Sequence, residues 1–107
     1  MSGEEWAAAQ AAGQFDGGPN DVADGFIHLS TSPQVGETLA RYYAGRTDLR
    51  LVTVDLEALG ETVRWEPARG GDLFPHVYGP LPLAAMVGVR SIPDGLASRI
   101  AFTATLT

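Results

Sequence analysis

Short apolar runs with β-branched residues predict the main strands of this chain. Residues 49–55 (LRLVTVD) and Met86–Ile92 have this composition. Polar and apolar residues alternate strictly over residues 62–66 (TVRWE), which predicts a strand with Arg64 and Glu66 on one face and the apolar residues on the other. We therefore expect at least three strands in the second half of the chain.

Three further extended segments are expected. Residues 26–29 form a brief strand by β-propensity, and residues 74–78 form an extended piece that contains a proline. Residues 99–106 alternate cleanly and follow the turn at residues 93–95. We therefore predict an antiparallel hairpin between residues 99–106 and Met86–Ile92.

The first quarter of the chain is expected to hold one helix and one loop. Ser2 and Glu5 fit a capping box, and the alanines that follow favour a helix over residues 2–13. Residues 14–25 are rich in Gly, Asp, Asn and Pro, which predicts a long loop. Such a loop either contacts a ligand or only connects two elements.

A second helix is predicted between the first strand and residues 49–55. Ser32 is expected to cap it, with a proline at the first helical position, and Gly45 is expected to stop it. Its apolar side is predicted to consist of Val35, Leu39 and Tyr42.

Composition agrees with one small domain. The chain has 107 residues, of which 45% are hydrophobic, and this suffices for a single core. Together with the order of the predicted elements, it predicts one α+β domain over residues 1–107. Thirteen acidic and seven basic residues give a net charge of −6, so binding to nucleic acid is not expected. The chain has no cysteine, which excludes disulfides and thiolate metal sites.

The sequence contains no sign of a membrane or secretion signal. No apolar run approaches the roughly 20 residues that a membrane-spanning helix needs. The start of the chain lacks the basic and apolar stretches of a signal peptide. We therefore expect a cytoplasmic location and no membrane partner.

His28 occurs in the unusual local sequence GFIHLST. Ser30 and Thr31 follow it at a junction between a strand and a helix, where hydroxyls and free helix N–H groups could bind an anionic or polyol ligand. The alternative is a buried His28 that bonds to the backbone, next to hydroxyls that only cap the helix.

A second stretch, RWEPARGGDLFPHVYGPLP, is dense in side chains that bind ligands. Its candidate binding and catalytic residues are Trp65, Glu66, Arg69, Phe74, His76 and Tyr78. Its paired glycines would let the backbone approach a ligand, and an arginine beside them can clamp a phosphate or a carboxylate. The alternative is a rigid loop of packed aromatic residues with an ion pair between Glu66 and Arg69.

Other classes of site have weaker support. Neither His28 nor His76 has a partner at helical metal-ligand spacing, so no bound metal is expected. The Gly-x-Ser-x-Gly motif of serine hydrolases does not occur. The glycines follow neither the dinucleotide-fold nor the phosphate-loop pattern.

Three segments carry a close resemblance to a known family: ADGFIHLST, LVTVD and RWEPARGG-LFPHVYGPLPL. The chain resembles a bacterial and plant family of small domains of unknown function. The resemblance extends from Trp6 to Val89. It implies an α+β fold similar to the ADP-ribosyltransferase superfamily, a split β-sandwich that holds NAD between two small sheets, here with two short helices. It is similar in particular to the branch that includes the RNA 2′-phosphotransferases, where a His-Leu-Ser strand also occurs.

The resemblance implies NAD or a related nucleotide as the ligand, and transfer of ADP-ribose to a small molecule or a protein as the activity. His28 is expected at the nicotinamide ribose or ring, and Glu66 in the carboxylate role. His76 or Tyr78 is expected to form the aromatic wall, and Arg69 to hold the pyrophosphate. The remaining expected ligand contacts are Ser30, Thr31, Trp65 and Phe74. The two motifs are therefore expected to converge on one concave site.

Two other classes of function stay open. One is a non-catalytic module that keeps the ligand site without the chemistry. The other is a small cyclase or isomerase that uses the two histidines as acid and base. A carboxylate within reach of the His28 ring would favour a catalytic site over a binding module, and an apolar pocket that no arginine faces would favour the isomerase.

The ends of the chain differ from the usual family pattern. Family members usually begin with a strand before the tryptophan helix, and only five residues precede Trp6 here. One sheet should then have an exposed edge, which we expect to be covered by residues 99–106 or by a second copy of the chain in a homodimer.

Overall fold

The computed structural model describes residues 1–92, except for the side chain of Arg69. Three α-helices and seven strands occur in this part of the chain. In order they are α1 (Gly3–Ala12), β1 (Gln14–Phe15), α2 (Pro19–Asp24), β2 (Ile27–His28), α3 (Ser32–Tyr42), β3 (Leu49–Val54), β4 (Val63–Pro67), β5 (Leu73–Val77), β6 (Leu81–Pro82) and β7 (Met86–Ile92). Short 3₁₀ segments occur at Glu57–Thr62, Arg69–Gly71 and Leu83–Ala85. The predicted α+β class is confirmed.

The first helix begins where the capping box predicts. Ser2 Oγ accepts a hydrogen bond from the backbone N–H of Glu5 at 3.0 Å, and the Glu5 carboxylate accepts one from the N–H of Ser2 at 2.8 Å. Gly13 ends α1 with a φ of 83°, a left-handed conformation that glycine adopts without strain. The predicted first helix is therefore confirmed.

The loop predicted over residues 14–25 is wrong, because this segment contains β1 and the six residues of α2. Its Gly, Asp and Pro content also suits a helix start. Pro19 lies in the first turn, and the N–H of Gly18 donates to Asp21 Oδ2 at 2.7 Å. The side chains of α2 are not buried. An apolar stripe that would have revealed the helix is therefore missing from the sequence.

The third helix differs from its prediction in its cap residue, in its end and in the tyrosine that packs on the core. It ends at Tyr42, before the expected stop at Gly45. Thr31, rather than Ser32, is the cap residue, and its N–H donates to Gln34 Oε1 at 3.0 Å. Tyr42 was expected on the apolar side but is 58% exposed, and Tyr43 packs on the core instead. Positions three and four residues after a buried residue both lie near its side of a helix, so periodicity could not distinguish the two tyrosines.

The described strands form three small antiparallel sheets. β1 pairs with β6, β3 pairs with β7, and β5 lies between β2 and β4. β7 runs against β3 from one end to the other, so the predicted strand Met86–Ile92 has its antiparallel partner in β3. The expected hairpin partner, residues 99–106, lies outside the described residues.

The first two residues lie along the other edge of β3. The N–H of Arg50 donates to the carbonyl oxygen of Met1 at 2.7 Å, and the amino group of Met1 donates to the carbonyl oxygen of Arg50 at 3.1 Å. Ser2 forms a β-bridge with Leu49. The start of this edge is therefore covered, and its further coverage by residues 99–106 or a second copy stays a prediction.

Two hydrophobic clusters join the elements. The first packs α3 on the β3–β7 sheet, and its buried members are Val35, Leu39, Leu49, Leu51 and Ile92. The second joins residues of all three sheets, and its buried members are Ile27, Val54, Leu59, Val77, Leu81 and Ala85. Within residues 1–92, no helix combines the length and the apolar character needed to cross a membrane.

Candidate functional site

One face of the β2–β5–β4 sheet carries polar residues from both sequence motifs. His28 in β2 lies directly opposite His76 in β5, and His76 lies opposite Arg64 in β4. Residues opposite one another in antiparallel strands share a face, so these three side chains lie on the same side. Ile27 and Val77 lie on the other side, in the core. We call the polar side the histidine face.

Glu66 is the centre of the histidine face. Its Oε1 accepts a hydrogen bond from the Tyr78 hydroxyl at 2.7 Å and lies 2.7 Å from His76 Nδ1. Because an ionised carboxylate can only accept, His76 Nδ1 carries a proton. Within the described part of the chain, neither His76 Nε2 nor the second carboxylate oxygen of Glu66 has a hydrogen-bond partner. As far as the described side chains are concerned, each therefore still offers a hydrogen-bonding position.

The surroundings of Glu66 favour its ionised form. The hydrogen bond from Tyr78, and then the bond from His76, lowers the pKa of the Glu66 carboxyl below its ordinary value of 4.5. The same bond from Tyr78 keeps its hydroxyl protonated and raises the pKa of Tyr78 above 10.0. At neutral pH the histidine face therefore presents a carboxylate anion beside a neutral phenol.

Phe26 lies over both histidines. Its ring stacks on the ring of His76, with centroids 4.1 Å apart and an angle of 22° between the planes. The centroids of the His28 and Tyr78 rings lie 4.7 Å and 5.2 Å from that of Phe26. The sequence prediction did not include Phe26 in the site. Its position two residues before His28 was the available signal, because such residues share a face in extended chain.

Two carboxylates from α2 hold the ring of His28. His28 Nδ1 lies 2.6 Å from Asp21 Oδ1, and His28 Nε2 lies 2.9 Å from Asp24 Oδ2. The backbone N–H of His28 also donates to Asp21 Oδ1 at 3.0 Å. The His28 side chain is 39% exposed, so its interpretation as a buried core histidine is wrong. His76 is the buried histidine, at 4% exposure.

Four of the five residues that were expected to converge lie together on the histidine face, and the concave ligand site that they were expected to form stays a prediction. The ring centroids of His28 and His76 lie 5.5 Å apart, although the residues are far apart in sequence. Glu66 and Tyr78 are bonded to each other next to His76. The fifth residue, Arg69, has a side chain that lies outside the described part of the structure.

Arg64 adds a cation to the histidine face. Its guanidinium carbon lies 4.8 Å from the centroid of the Tyr78 ring, within cation–π distance. Its charge also contributes, after the two hydrogen bonds, to the lowered pKa of Glu66. The alternation over residues 62–66 predicted Arg64 beside Glu66, but the sequence prediction gave the cationic role to Arg69.

Ser30 and Thr31 both contact α3. Thr31 is the cap residue, and its backbone N–H donates to Gln34 Oε1, whereas Ser30 Oγ lies 2.9 Å from Thr38 Oγ1 in the middle of the helix. The expected capping role is therefore seen for Thr31 through its backbone, and the Ser30 hydroxyl has a different contact. The ligand-binding role of Ser30 and Thr31 stays a prediction.

Trp65 and Phe74 lie on different faces. Trp65 falls between Arg64 and Glu66 in β4 and is 48% exposed. Adjacent residues in a strand lie on opposite faces, so Trp65 lies off the histidine face, as the alternation predicted, and its expected contact with a ligand stays a prediction. Phe74 lies opposite Glu66, shares the histidine face and is buried.

Asp21 and Asp24 were missed because they fall in the segment predicted as a loop. Residues three apart share a face only if the segment is helical, and α2 supplies that helix. The available signal was the Asp-x-x-Asp spacing shortly before a histidine. That signal is weak without knowledge that the end of α2 meets β2.

The histidine face can stabilise positive charge and accept a proton. A carboxylate that is held in place by two donors is preorganised for charge that develops on a bound group. A histidine whose Nδ1–H is fixed presents its Nε2 as a base. Among residues 1–92, no three His, Asp or Glu side chains are arranged to hold a metal ion.

The fold and the site define a small α+β domain with a Glu–His–Tyr cluster on one face of a three-stranded sheet. Residues 1–89 match the family described as "Protein of unknown function (DUF952)", and the chain belongs to that family. This confirms the expected membership in a family of unknown function. A search of curated proteins found no significant match.

Three solved structures are similar to this chain. The crystal structure of protein CC0527 from Caulobacter crescentus is 44% identical, with a TM-score of 0.84 over 89% of this chain and 86% of that one. A double mutant of CC0527 is 43% identical over the same shares, with a TM-score of 0.83. The solution NMR structure of CC0527 is 44% identical over 87% and 80% of the two chains, with a TM-score of 0.77.

Proposed function

We propose that the histidine face binds NAD or a related nucleotide and that the protein transfers ADP-ribose to a small molecule or a protein side chain. The observation that carries the proposal is the carboxylate of Glu66, which Tyr78 and His76 hold through one oxygen, while its other oxygen has no hydrogen-bond partner among the described side chains. Cleavage of the bond between ribose and nicotinamide develops positive charge on the ribose. A preorganised carboxylate is well suited to stabilise that charge.

The reaction then divides between Glu66 and His76. The second oxygen of Glu66 accepts a hydrogen bond from a ribose hydroxyl beside the reacting carbon. As the glycosidic bond breaks, its electron pair leaves with neutral nicotinamide, and an oxygen or nitrogen of the acceptor bonds to the ribose. His76 Nε2 takes the proton that the acceptor loses.

The other residues of the face orient the nucleotide. Both ring nitrogens of His28 are bonded to aspartates, so in this proposal His28 contacts the ribose or the nicotinamide with its ring. Arg64 supplies a cation for the pyrophosphate, and Arg69 keeps the same proposed role. The net charge of −6 favours a small molecule or a protein as the acceptor over nucleic acid.

Calorimetric titration with NAD, ADP-ribose and nicotinamide tests the binding step, and chromatography of nicotinamide released from NAD tests the chemistry. We expect the wild-type protein to bind NAD and to release nicotinamide. Glu66→Gln removes the negative charge but keeps the size of the side chain, so release should fall by about 100-fold. Glu37→Gln, which removes an exposed carboxylate on α3, is the matched control and should behave as the wild type.

Three other outcomes of these two experiments would contradict or change the proposal. A wild-type protein that binds neither NAD nor ADP-ribose contradicts the proposal. Binding without release of nicotinamide supports the non-catalytic module instead. An equal loss of release in Glu66→Gln and Glu37→Gln would show that overall charge, rather than the position of Glu66, is responsible.

One observation favours a second candidate, a small acid–base enzyme such as a cyclase or isomerase. In the Glu66–His76 pair, Nδ1–H is fixed and Nε2 has no partner among the described residues, which is the form of a general base with its orienting carboxylate. His28 is less suited as the matching acid, because both of its nitrogens are already bonded. Deuterium incorporation from heavy water into a panel of carbonyl compounds, lost in His76→Gln, would support this candidate over the transferase.

A further inference from the structure

Residues 17–25, which contain α2 and which we call the strap, are attached to the molecule with little apolar burial. The side chains of α2 are not buried, and Val22, its largest apolar residue, is 71% exposed. Segments with few buried apolar contacts open at a lower free energy than the core does. The strap therefore depends on polar contacts to stay in place.

Those polar contacts converge on His28. Asp21, whose side chain is only 16% exposed, bonds through Oδ1 to both the backbone N–H and Nδ1 of His28, and through Oδ2 to the N–H of Gly18. Asp24 adds the contact with Nε2 at 2.9 Å. Two carboxylates of one short helix thus fasten the strap to one imidazole ring of the sheet.

Both ends of the strap are glycines in the left-handed region. Gly17 has a φ of 108° and Gly25 a φ of 87°, conformations that other residues rarely adopt. Such positions can absorb the change in backbone angles that a hinged segment requires. Gly25 leads directly into Phe26, whose ring stacks on His76. Phe26 connects this hinge to β2, so release of the strap removes the restraint on one side of Phe26 and lets its ring leave His76.

We propose that the strap is a gate for the histidine face, closed in this structure, and that Phe26 is the part that covers His76. When Asp21 and Asp24 separate from His28, the strap swings away and Phe26 leaves the ring of His76. A ligand that stacks or bonds at His76 and Glu66 binds only the open form, and its binding shifts the population toward that form. The gate regulates access to the site of the proposed function but does not depend on which ligand binds there.

Amide hydrogen exchange in the free protein tests the gate. The reporters are the N–H groups of Val22 and Gly25, which bond to carbonyls within the strap and not to either carboxylate. A detached helix of six residues is marginal in water, so opening exposes these amides. In the Asp21→Ala/Asp24→Ala double variant we expect their exchange to be faster by about tenfold or more. The amide of Leu29, which bonds to Pro75 across the sheet, should keep its wild-type rate.

Asp24→Ala alone keeps the test decisive even if the double variant does not fold. Asp24 is 55% exposed and its described contact is with His28, so this variant should fold and show a smaller but measurable acceleration at Val22 and Gly25. Glu37→Ala is the control for loss of one exposed carboxylate. Wild-type exchange at both reporters, or an acceleration shared equally by Leu29, would overturn the gate.

The ring protons of His76 supply a second measurement. The stacked phenyl ring of Phe26 shifts their NMR resonances, and Phe26→Leu defines the position without that ring. In Asp24→Ala the resonances should move part of the way toward those of Phe26→Leu, whereas unchanged resonances contradict the gate. Because neither measurement includes a nucleotide, the gate can fail while NAD binding succeeds, or the reverse.

Discussion

At the scale of the residue, Glu66 determines the state of the atoms around it. One of its oxygens fixes the proton of His76 at Nδ1 and holds the hydroxyl of Tyr78. The geometry of three side chains therefore depends on a single ionised group. Removal of its charge should weaken the bonds that hold Tyr78 and His76. Two measurements without any ligand test the charge of Glu66, one through Tyr78 and one through the stability of the fold.

The titration of Tyr78 is the first measurement. The hydrogen bond to Glu66 raises the pKa of Tyr78 above 10.0, so Glu66→Gln should lower the pKa of Tyr78 toward that value. Ultraviolet difference spectroscopy follows the tyrosinate signal. Burial raises the pKa of Tyr43 independently of Glu66, so Tyr43 should titrate as before. An unchanged alkaline titration curve in Glu66→Gln would refute the bond between Glu66 and Tyr78.

The pH dependence of stability is the second measurement. The folded protein holds the pKa of Glu66 below the ordinary 4.5, so the ionised carboxylate stabilises the fold above that pH and this contribution is lost as the pH falls through the folded pKa. The contribution of Tyr78 has the opposite sign, since its raised pKa stabilises the fold below pH 10.0 and is lost above it. Urea unfolding of wild type and Glu66→Gln should therefore differ at neutral pH and converge in acid. A difference that persists in acid would assign the effect to packing.

At the scale of the element, β4 shows how much of the site the sequence could predict. Strict alternation over residues 62–66 was sufficient to put Arg64 beside Glu66 and Trp65 on the opposite face. The Glu66–His76 contact crosses two strands whose register depends on pairing of the whole sheet. The local sequence pattern carries no information about that register. The convergence of the two motifs could therefore be predicted, but the hydrogen bonds between their side chains could not.

α2 shows the opposite case. Its residues have low helix propensity and no apolar stripe, and its carboxylates bond to a strand that follows it. Tertiary contacts thus outweighed local preference, and a helix whose two aspartates contact His28 was predicted as a loop. For this reason the contacts of Asp21 and Asp24 with His28 could not be predicted from the sequence, although His28 itself was a predicted site residue.

The adjacent tyrosines at the end of α3 provide a prediction at this scale. Tyr43 packs against the cluster of α3 and the β3–β7 sheet and lies 5.0 Å from the guanidinium of Arg46, whereas Tyr42 is 58% exposed. Tyr43→Ala should lower the free energy of unfolding by about 1–3 kcal/mol, and Tyr42→Ala by no more than about 0.5 kcal/mol. Denaturant unfolding measures both. Equal effects, or a larger effect of Tyr42→Ala, would restore the original prediction that Tyr42 faces the core.

At the scale of the whole molecule, the two faces of the β2–β5–β4 sheet separate core packing from the polar cluster. The core face contributes Ile27 and Val77 to the cluster that joins the sheets. The other face carries His28 and His76. One strand therefore carries both core residues and residues of the histidine face. Substitution of adjacent residues in that strand should affect stability in one case and ligand binding in the other.

Ile27 and His28 test this separation directly. Ile27→Val shortens a buried side chain and should cost about 0.5–1.5 kcal/mol of stability, a fall in Tm of about 4–8 °C for each kcal/mol, with unchanged affinity for NAD or ADP-ribose. His28→Gln lies on the other face and also releases the side-chain contacts of Asp21 and Asp24, so its binding is compared with that of Asp24→Ala, in which the imidazole remains. Relative to Asp24→Ala, His28→Gln should weaken nucleotide binding by about 1–3 kcal/mol through the lost polar contact. Thermal unfolding and calorimetric titration of the three variants provide the comparison. If His28→Gln lowers Tm and leaves affinity unchanged, His28 is a structural residue whose role is to hold α2. If Ile27→Val weakens binding as strongly as His28→Gln, the two faces are coupled and the separation does not hold.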